Sequence, residues 1–475
     1  MKNKPHFLTI RRFLLVLSVI MLCLPFQPGL EVQARPMTQE EAIYIVQQGD
    51  SLNSIALRFG ISSEELISVN NLADPNALDI GQSLIIPGLE GISGVLKSRT
   101  LTLGTSFTQL TRQYQITPQD LSILNRITSP SETIAGVTFI LPTRDDQNPL
   151  MPLTVVSAND TLLEAAIRNG VSPWELVNDN QLIASWDILP GDILYSRRMG
   201  EISPSTLPGV SEVWLNNLPI IQGETLQVSI TAEEPLEFSG RFNEEELQFF
   251  SENSEAFYSF HGIHALEEPG VYPLEITATY PDGSTLTFAQ PVLLVAGGYG
   301  NEWVNVPEEY LDETVIEAED AYLKPVLTQV TPEKYWEGRF QYPVDEPCLN
   351  SRFGQRRDYN NGGLYFYHTG IDFAVCAMNL NIYAPAAGKV VLAEELTIKG
   401  KALLIDHGWG VFSGYWHLSE FNVADGDFVQ PGDLIGQIGN TGRSAGPHLH
   451  FEIDIKGTPV NPETWLLQDF PEIGD

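Results

Sequence analysis

Gly442-Arg443-Ser444-Ala445-Gly446-Pro447-His448-Leu449-His450-Phe451-Glu452-Ile453 is the stretch that decides the reading of this chain. Leu449, Phe451 and Ile453 alternate with their neighbours at the period of a half-buried strand, which sends His448 and His450 to one face. Working outward, His417 stands in Tyr-Trp-His-Leu-Ser, and His368 and Asp372 stand in His-Thr-Gly-Ile-Asp. A separation of four places Asp372 on the face of His368 if that segment is extended. Gly370 and the β-rich run after it argue against a helix there. The chain has 8 histidines, and gathering half of them with one carboxylate demands an explanation. Zinc takes imidazole nitrogen and carboxylate oxygen tetrahedrally, and a catalytic site keeps three protein ligands with one position open. Two histidines and one aspartate fill that need and leave two imidazoles for proton handling.

The segment from about Gln341 to Leu467 resembles the lysostaphin/LytM family of zinc endopeptidases. Its ordered strings carry the resemblance: Ser351 to Arg357 (SRFGQRR), HTGID, the run from Ile382 (IYAPAAGKVV), IDHGWGVFSGYWHLS ending at Ser419, and VQPGDLIGQIGNTGRSAGPHLHFEI. A lone His-x-His is a weak signal, whereas five strings in order are a strong one. The resemblance implies His368, Asp372 and His450 as ligands of one zinc per catalytic domain, and His417 and His448 as catalytic imidazoles. It also implies a compact antiparallel β fold with a narrow groove. Where the family has Gly-Asn before the strand leading to the DHG turn, this chain has Gly400 and Lys401. The alternative is a non-catalytic wall-binding scaffold, or an activator of a separate murein hydrolase, and the intact five-residue set speaks against it. His407 reads as a turn residue, and His261 and His264 as structural.

At the other end, Lys2, Lys4, Arg11 and Arg12 precede an apolar run from Phe13 to Phe26, and Val32-Gln33-Ala34 offers a small-residue cleavage site. This pattern reads as a secretory signal peptide over 1–34, with a run too short to span a bilayer. The expected location is therefore secreted: extracellular, cell-wall-associated or periplasmic. The formal charge is -35, which disfavours nucleic acid as a partner because phosphate binding needs basic patches. After processing, Cys348 and Cys376 are the only cysteines, and an exported chain makes a disulfide between them the expectation.

Internal repetition organises the first half. A shift of 55 carries Gly49 onto Gly104, Asn70 onto Asn125 and Gly81 onto Gly136, and a second such shift reaches Asn180 and Gly191. Three small units of strand, helix, helix and strand follow, over 43–88, 98–142 and 153–197. They resemble the LysM module, and the resemblance implies binding of N-acetylglucosamine-containing glycan. In the first copy the implied groove lies between Gly49, Asp50, Ser51, Leu52 and the loop carrying Leu78, Asp79 and Ile80. The later copies are degenerate, and the second reads more as a spacer than as a sugar site.

Between the repeats and the C-terminal segment, alternating runs over 209–297 suggest an Ig-like β-sandwich. An acidic stretch over 305–335 reads as a helical linker with a kink or stop near Pro325. The expected protein is thus multidomain: three small α+β modules, an all-β sandwich and an all-β antiparallel metallopeptidase domain. Its expected partner is peptidoglycan, glycan through the repeats and peptide through the groove.

Overall fold

The computed structural model describes residues 42–72, 74, 78–89, 91–143, 150–157, 160–197, 207–361 and 366–472. The expected signal peptide and Asn159 lie outside the described residues. Among the described residues no helix is long and apolar enough to cross a membrane.

Each repeat folds as strand, helix, helix and strand. The first comprises Ala42–Ile45, Leu52–Phe59, Ser63–Asn70 and Ser83–Ile85. The second comprises Gly94–Thr100, Phe107–Tyr114, Pro118–Asn125 and Thr138–Thr143. The third comprises Met151–Val155, Leu162–Arg168, Pro173–Asp179 and Ile193–Ser196. Ser51, Ser106 and Thr161 cap the three leading helices by accepting a backbone N–H three residues on, which satisfies a donor the helix leaves unpaired. One asparagine explains why the repeat period is kept. Asn70 donates to Leu66 O and Ile85 O and accepts from Ile85 N. Asn125 and Asn180 make the same three bonds, to Leu121 and Ile140 and to Leu176 and Tyr195. A single amide thus pins the last strand to the second helix in every unit, a task an apolar residue could not perform.

The first two units share one sheet, in the order Ser83–Ile85, Ala42–Ile45, Gly94–Thr100 and Thr138–Thr143, with the middle pair parallel. In the first unit Asp50 accepts from Tyr44 Oη (2.7 Å) and Gln47 N (2.8 Å), and Leu52 is buried in the core. Both residues therefore shape the loop from inside, while Gly49, Ser51, Asp79 and Ile80 face solvent. The equivalent loop of the second unit is occupied. Gly104 N donates to Gln290 Oε1 (2.7 Å), and Gln290 Nε2 donates to Thr105 O (2.9 Å).

Gln290 belongs to the next layer pair. A five-stranded sheet and a four-stranded sheet enclose one apolar core containing Leu226, Val228, Ile230, Leu274, Ile276 and Val292. Inward residues alternate with outward ones along Gly270–Thr279 and Thr285–Val295, as a two-sheet sandwich requires. Ala135 of the second repeat forms a bridge with Val292, so repeat and sandwich are continuous.

The C-terminal part is built on a largely antiparallel sheet. Its order is Leu349–Ser351, Ile371–Ala374, His448–Ile455, Val411–Leu418, Lys401–Gly408, Gly388–Glu395 and Phe428–Val429, with Thr458–Val460 beside His448–Ile455. Its core takes in Phe250 and Phe260 of the sandwich together with Trp336, Phe340, Trp409, Trp465 and Phe470. Trp336 Nε1 donates to Phe470 O (2.7 Å). A fragment begun at Gln341 would lose Trp336 and Phe340 and expose the rings they cover. Burying such rings contributes about 2–3 kcal/mol each. The acidic stretch forms the Glu313–Leu327 helix, which includes Pro325 and ends two residues after it. Leu323 of this helix packs with Leu392, Ala402, Leu404 and Trp416, so the helix lies on the sheet and does more than connect.

His407 is not in the turn expected for it. It lies on the Lys401–Gly408 strand, wholly buried, with Nδ1 against Ala387 O and Nε2 against Ser413 Oγ, both 2.8 Å. Burial pushes its pKa down to about 4, partly opposed by the Ala387 carbonyl. The unfolded chain therefore binds a proton first as pH falls. The stability contributed by neutral His407 is full above pH 6.5 and lost between there and about 4, up to about 3 kcal/mol. Unfolding free energies of the wild type and His407→Gln, measured across that window, should converge as pH drops, and parallel curves would rule the residue out.

Candidate metal centre and active site

Ile371–Ala374 pairs with His448–Ile455 so that Asp372 stands opposite His450. His368 reaches them by a different route from the one its spacing suggests. It precedes the strand, in a non-strand segment that bends at Gly370. A Cβ on Gly370 would run into Phe451 O and His450 Nε2, so only glycine lets the segment press this close. The expected pairing of His368 with Asp372 stands, but a bend makes it.

Three atoms meet here. His368 Nε2 lies 3.0 Å from Asp372 Oδ1 and 2.9 Å from His450 Nδ1, and His450 Nδ1 lies 2.9 Å from Asp372 Oδ1. The opposite ring nitrogens are committed: His368 Nδ1 donates to Arg352 O (2.9 Å) and His450 Nε2 to Glu452 Oε1 (2.8 Å). Each neutral imidazole has one N–H, so the facing Nε2, Nδ1 and Oδ1 are all acceptors crowded on one point. A cation resolves that conflict. The donor set of two imidazoles and one carboxylate suits zinc, and carbonyl or carboxylate partners on the far nitrogens are the usual way such ligands are oriented. His368, Asp372 and His450 are the buried group among the described residues whose ligand atoms lie within 4.8 Å of one another.

Supporting residues come from places the sequence did not point to. Arg357 Nη2 donates to Asp372 Oδ2 (2.7 Å), and Arg357 Nε to Glu302 Oε2 (2.9 Å). Glu302 sits on the Asn301–Val304 strand, which pairs in parallel with Arg356–Tyr359. Glu452 also accepts from Thr369 Oγ1. Burial opposes its charge, and Lys399 and His450 nevertheless bring its pKa down to about 2. Glu452 was within reach of sequence reasoning, since it lies two residues from His450 on one strand face. Glu302 carried no such signal, and Arg357 was marked only as the end of the SRFGQRR string.

His417 and His448 stand beside the cluster, with ring centroids 5.0 Å apart. His417 Nδ1 donates to Thr441 O (2.7 Å) and His448 Nδ1 to Gly446 O (2.8 Å). Both rings therefore present Nε2 inward, and that of His448 is 3.6 Å from Asp372 Oδ1. His417 holds φ +68°, a left-handed backbone that costs a non-glycine residue about 1 kcal/mol or more and is concentrated at functional positions. Burial, then the neighbouring imidazoles, push its pKa well below the ordinary value. Cys348 and Cys376 are joined as a disulfide. The bridge closes the segment that carries Ser351, Arg357, His368 and Asp372.

A cavity of ≈ 480 Å³ opens onto His368, His417 and His450. One wall is the Glu313–Leu327 helix, whose Glu319 accepts from Ile398 N and Lys399 N, each at 2.8 Å. His264 and Leu266 of the sandwich also reach this wall. His264 is paired with Tyr367 Oη (3.2 Å), so the sandwich contributes to the site as well as to the scaffold.

Residues 366–462 match Peptidase family M23. The C-terminal sheet is an M23 peptidase domain. Residues 44–87 match the LysM domain, which coincides with the first repeat. Similar curated proteins are the peptidoglycan DD-endopeptidase ShyA of Vibrio cholerae, 38% identical over 26% of this chain and 28% of that one, and the DD-carboxypeptidase/endopeptidase Mpg of Neisseria meningitidis, 45% identical over 21% and 23%. The chain thus spans about a quarter of the length of these relatives. A crystal structure of a zinc-containing peptidase from Vibrio cholerae is 16% identical, covering 90% of this chain and 99% of that one with TM-score 0.26.

Proposed function

We propose that the M23 domain is a secreted zinc endopeptidase cutting peptide stems or cross-bridges of bacterial peptidoglycan, with the LysM domain holding it to the glycan. The observation that carries this reading is the meeting of three acceptor atoms from His368, Asp372 and His450 with two further imidazoles facing the same point. Zinc held there would supply Lewis acidity to the scissile carbonyl and to water. The chain's own residues do the rest. His448 is assigned the base function and His417 the stabilisation of the oxyanion, an order the two rings can exchange. One inward Nε2 takes the proton from attacking water, and the other ring faces the carbonyl oxygen as charge builds on it. Arg357 and Glu452 keep the ligand atoms oriented, and Thr441 and Gly446 fix the tautomers. The exposed Gly49, Ser51, Asp79 and Ile80 suit a neutral sugar, held by backbone hydrogen bonds and apolar contact.

Digestion of purified sacculi by the zinc-loaded chain, followed by mass spectrometry, tests the reading. New amino and carboxyl termini within stems or bridges are expected. Intact stems freed from glycan would overturn it.

A further inference from the structure

Two donors in the M23 cavity have nothing to bond. Arg443 Nη1 and Trp416 Nε1 are buried from solvent with no hydrogen-bond partner among the described residues, and both side chains line the cavity that holds His417 and His450. A buried donor without an acceptor costs about 1–3 kcal/mol, so two in one cavity point to an acceptor that arrives with the substrate. Three of the acids lining the cavity are committed, Glu319 to Ile398 N and Lys399 N, Glu452 to His450 and Thr369, and Asp454 to Gly457 N, while Asp320 also lines it and feels the Arg443 charge without a hydrogen bond to the Arg443 Nη1. Arg443, by contrast, is held ready. Its guanidinium lies 4.8 Å from the Tyr359 ring centroid and 5.8 Å from that of Phe366, an arrangement that fixes the planar group without consuming its N–H donors.

The backbone places Arg443 against the reacting groups. Arg443 N donates to Ile398 O (2.8 Å), and Thr441, two residues earlier, anchors His417 Nδ1. A Cβ on Gly442 would strike Gly400 N, so the two loops abut and cannot drift apart. Lys399, on the facing loop, adds a second positive charge, its Nζ 5.0 Å from the Trp416 ring centroid. A group bound by Arg443 would therefore share one cavity with His417 and His450.

We propose that Arg443, with the Trp416 indole N–H, forms a subsite for a free carboxylate on the peptide next to the scissile amide, and that it sets the substrate specificity of the domain. Guanidinium and carboxylate match as a two-pronged, charge-assisted pair. This rests on the peptidase reading above and narrows it. A direct link to a diamino acid carries a carboxylate on the carbon beside the scissile nitrogen. A glycine bridge has none there.

The test uses the zinc-loaded full chain and three synthetic peptides: one with that carboxylate free, one with it converted to carboxamide, and one with the only free carboxylate at the chain end beyond it. The wild type should cut the acid about 10-fold or more faster in kcat/KM than the amide, and Arg443→Gln should bring that ratio close to one. A merely structural role would lower both rates and leave the ratio alone. Preference for the chain-end acid over the amide would identify the C-terminal carboxylate as the ligand. A wild-type ratio of one, or an Arg443→Gln ratio equal to that of the wild type, overturns the proposal. Trp416→Phe, which removes only the N–H, should lower the ratio more modestly and serves if Arg443→Gln does not fold. Should the wild type cut none of the three, the peptidase reading fails, and calorimetric Kd values for the acid and amide peptides still decide the subsite, equal values refuting it.

Discussion

Alanine in place of His368 or His450 should abolish bound zinc and hydrolysis together, each by more than about 100-fold, since even a residue that only orients a ligand is worth about 10–100-fold in affinity. Each of these rings gives one acceptor atom to a three-atom cluster, and among the described residues no fourth side chain joins it: His448 Nε2 is 3.6 Å from Asp372 Oδ1, but its ring is fixed by Gly446 O. Asp372 needs a gentler change. Alanine there would also leave the buried Arg357 guanidinium unpaired on that side, and breaking a buried ion pair costs about 3–5 kcal/mol. Asp372→Asn keeps the volume and separates loss of metal from loss of fold. Metal content by mass spectrometry of the purified variants, read beside turnover, is the check. A variant with stoichiometric zinc would remove its residue from the ligand set.

The complementary result is expected at the other two imidazoles. His417→Ala and His448→Ala should keep their zinc and lose at least about 100-fold in kcat, the scale of a positioned acid–base or oxyanion group. Neither ring shares a hydrogen bond with the His368–Asp372–His450 cluster, so the metal set has no reason to collapse. His417→Ala also relieves little of the φ +68° backbone, because alanine is no more at ease there than histidine. Unchanged turnover in either variant would take that residue out of the mechanism.

The five candidate residues that the structure brings together were legible in the sequence because each sits inside a string with its own apolar pattern and glycine punctuation. The repeat was equally legible, since one asparagine per 55 residues does the same structural job three times. What escaped was everything decided by contact between distant segments. Nothing in the acidic stretch marks Glu319 as the carboxylate that closes the Ile398–Lys399 loop, and nothing at Glu302 announces its partner Arg357. The pairing of His368 with Asp372 was anticipated from even spacing, yet the geometry comes from Gly370 and its close approach to the neighbouring strand. The boundary near Gln341 follows the change in sequence pattern, while the packing runs through it.

That continuity of packing changes what the N-terminal half can do for the enzyme. The LysM domain shares a sheet with the second repeat, the second repeat is bonded to the sandwich through Gln290 and Ala135, and the sandwich donates Phe250 and Phe260 to the core under the M23 sheet. With no slack in the chain of contacts, effective concentration does not follow the gradual length law of a flexible tether. It follows a single fixed offset, like the two jaws of a caliper. On the proposed function, a cross-link at that distance from glycan bound at the first repeat would be presented to the groove again and again, and one displaced from it would gain nothing from the anchoring.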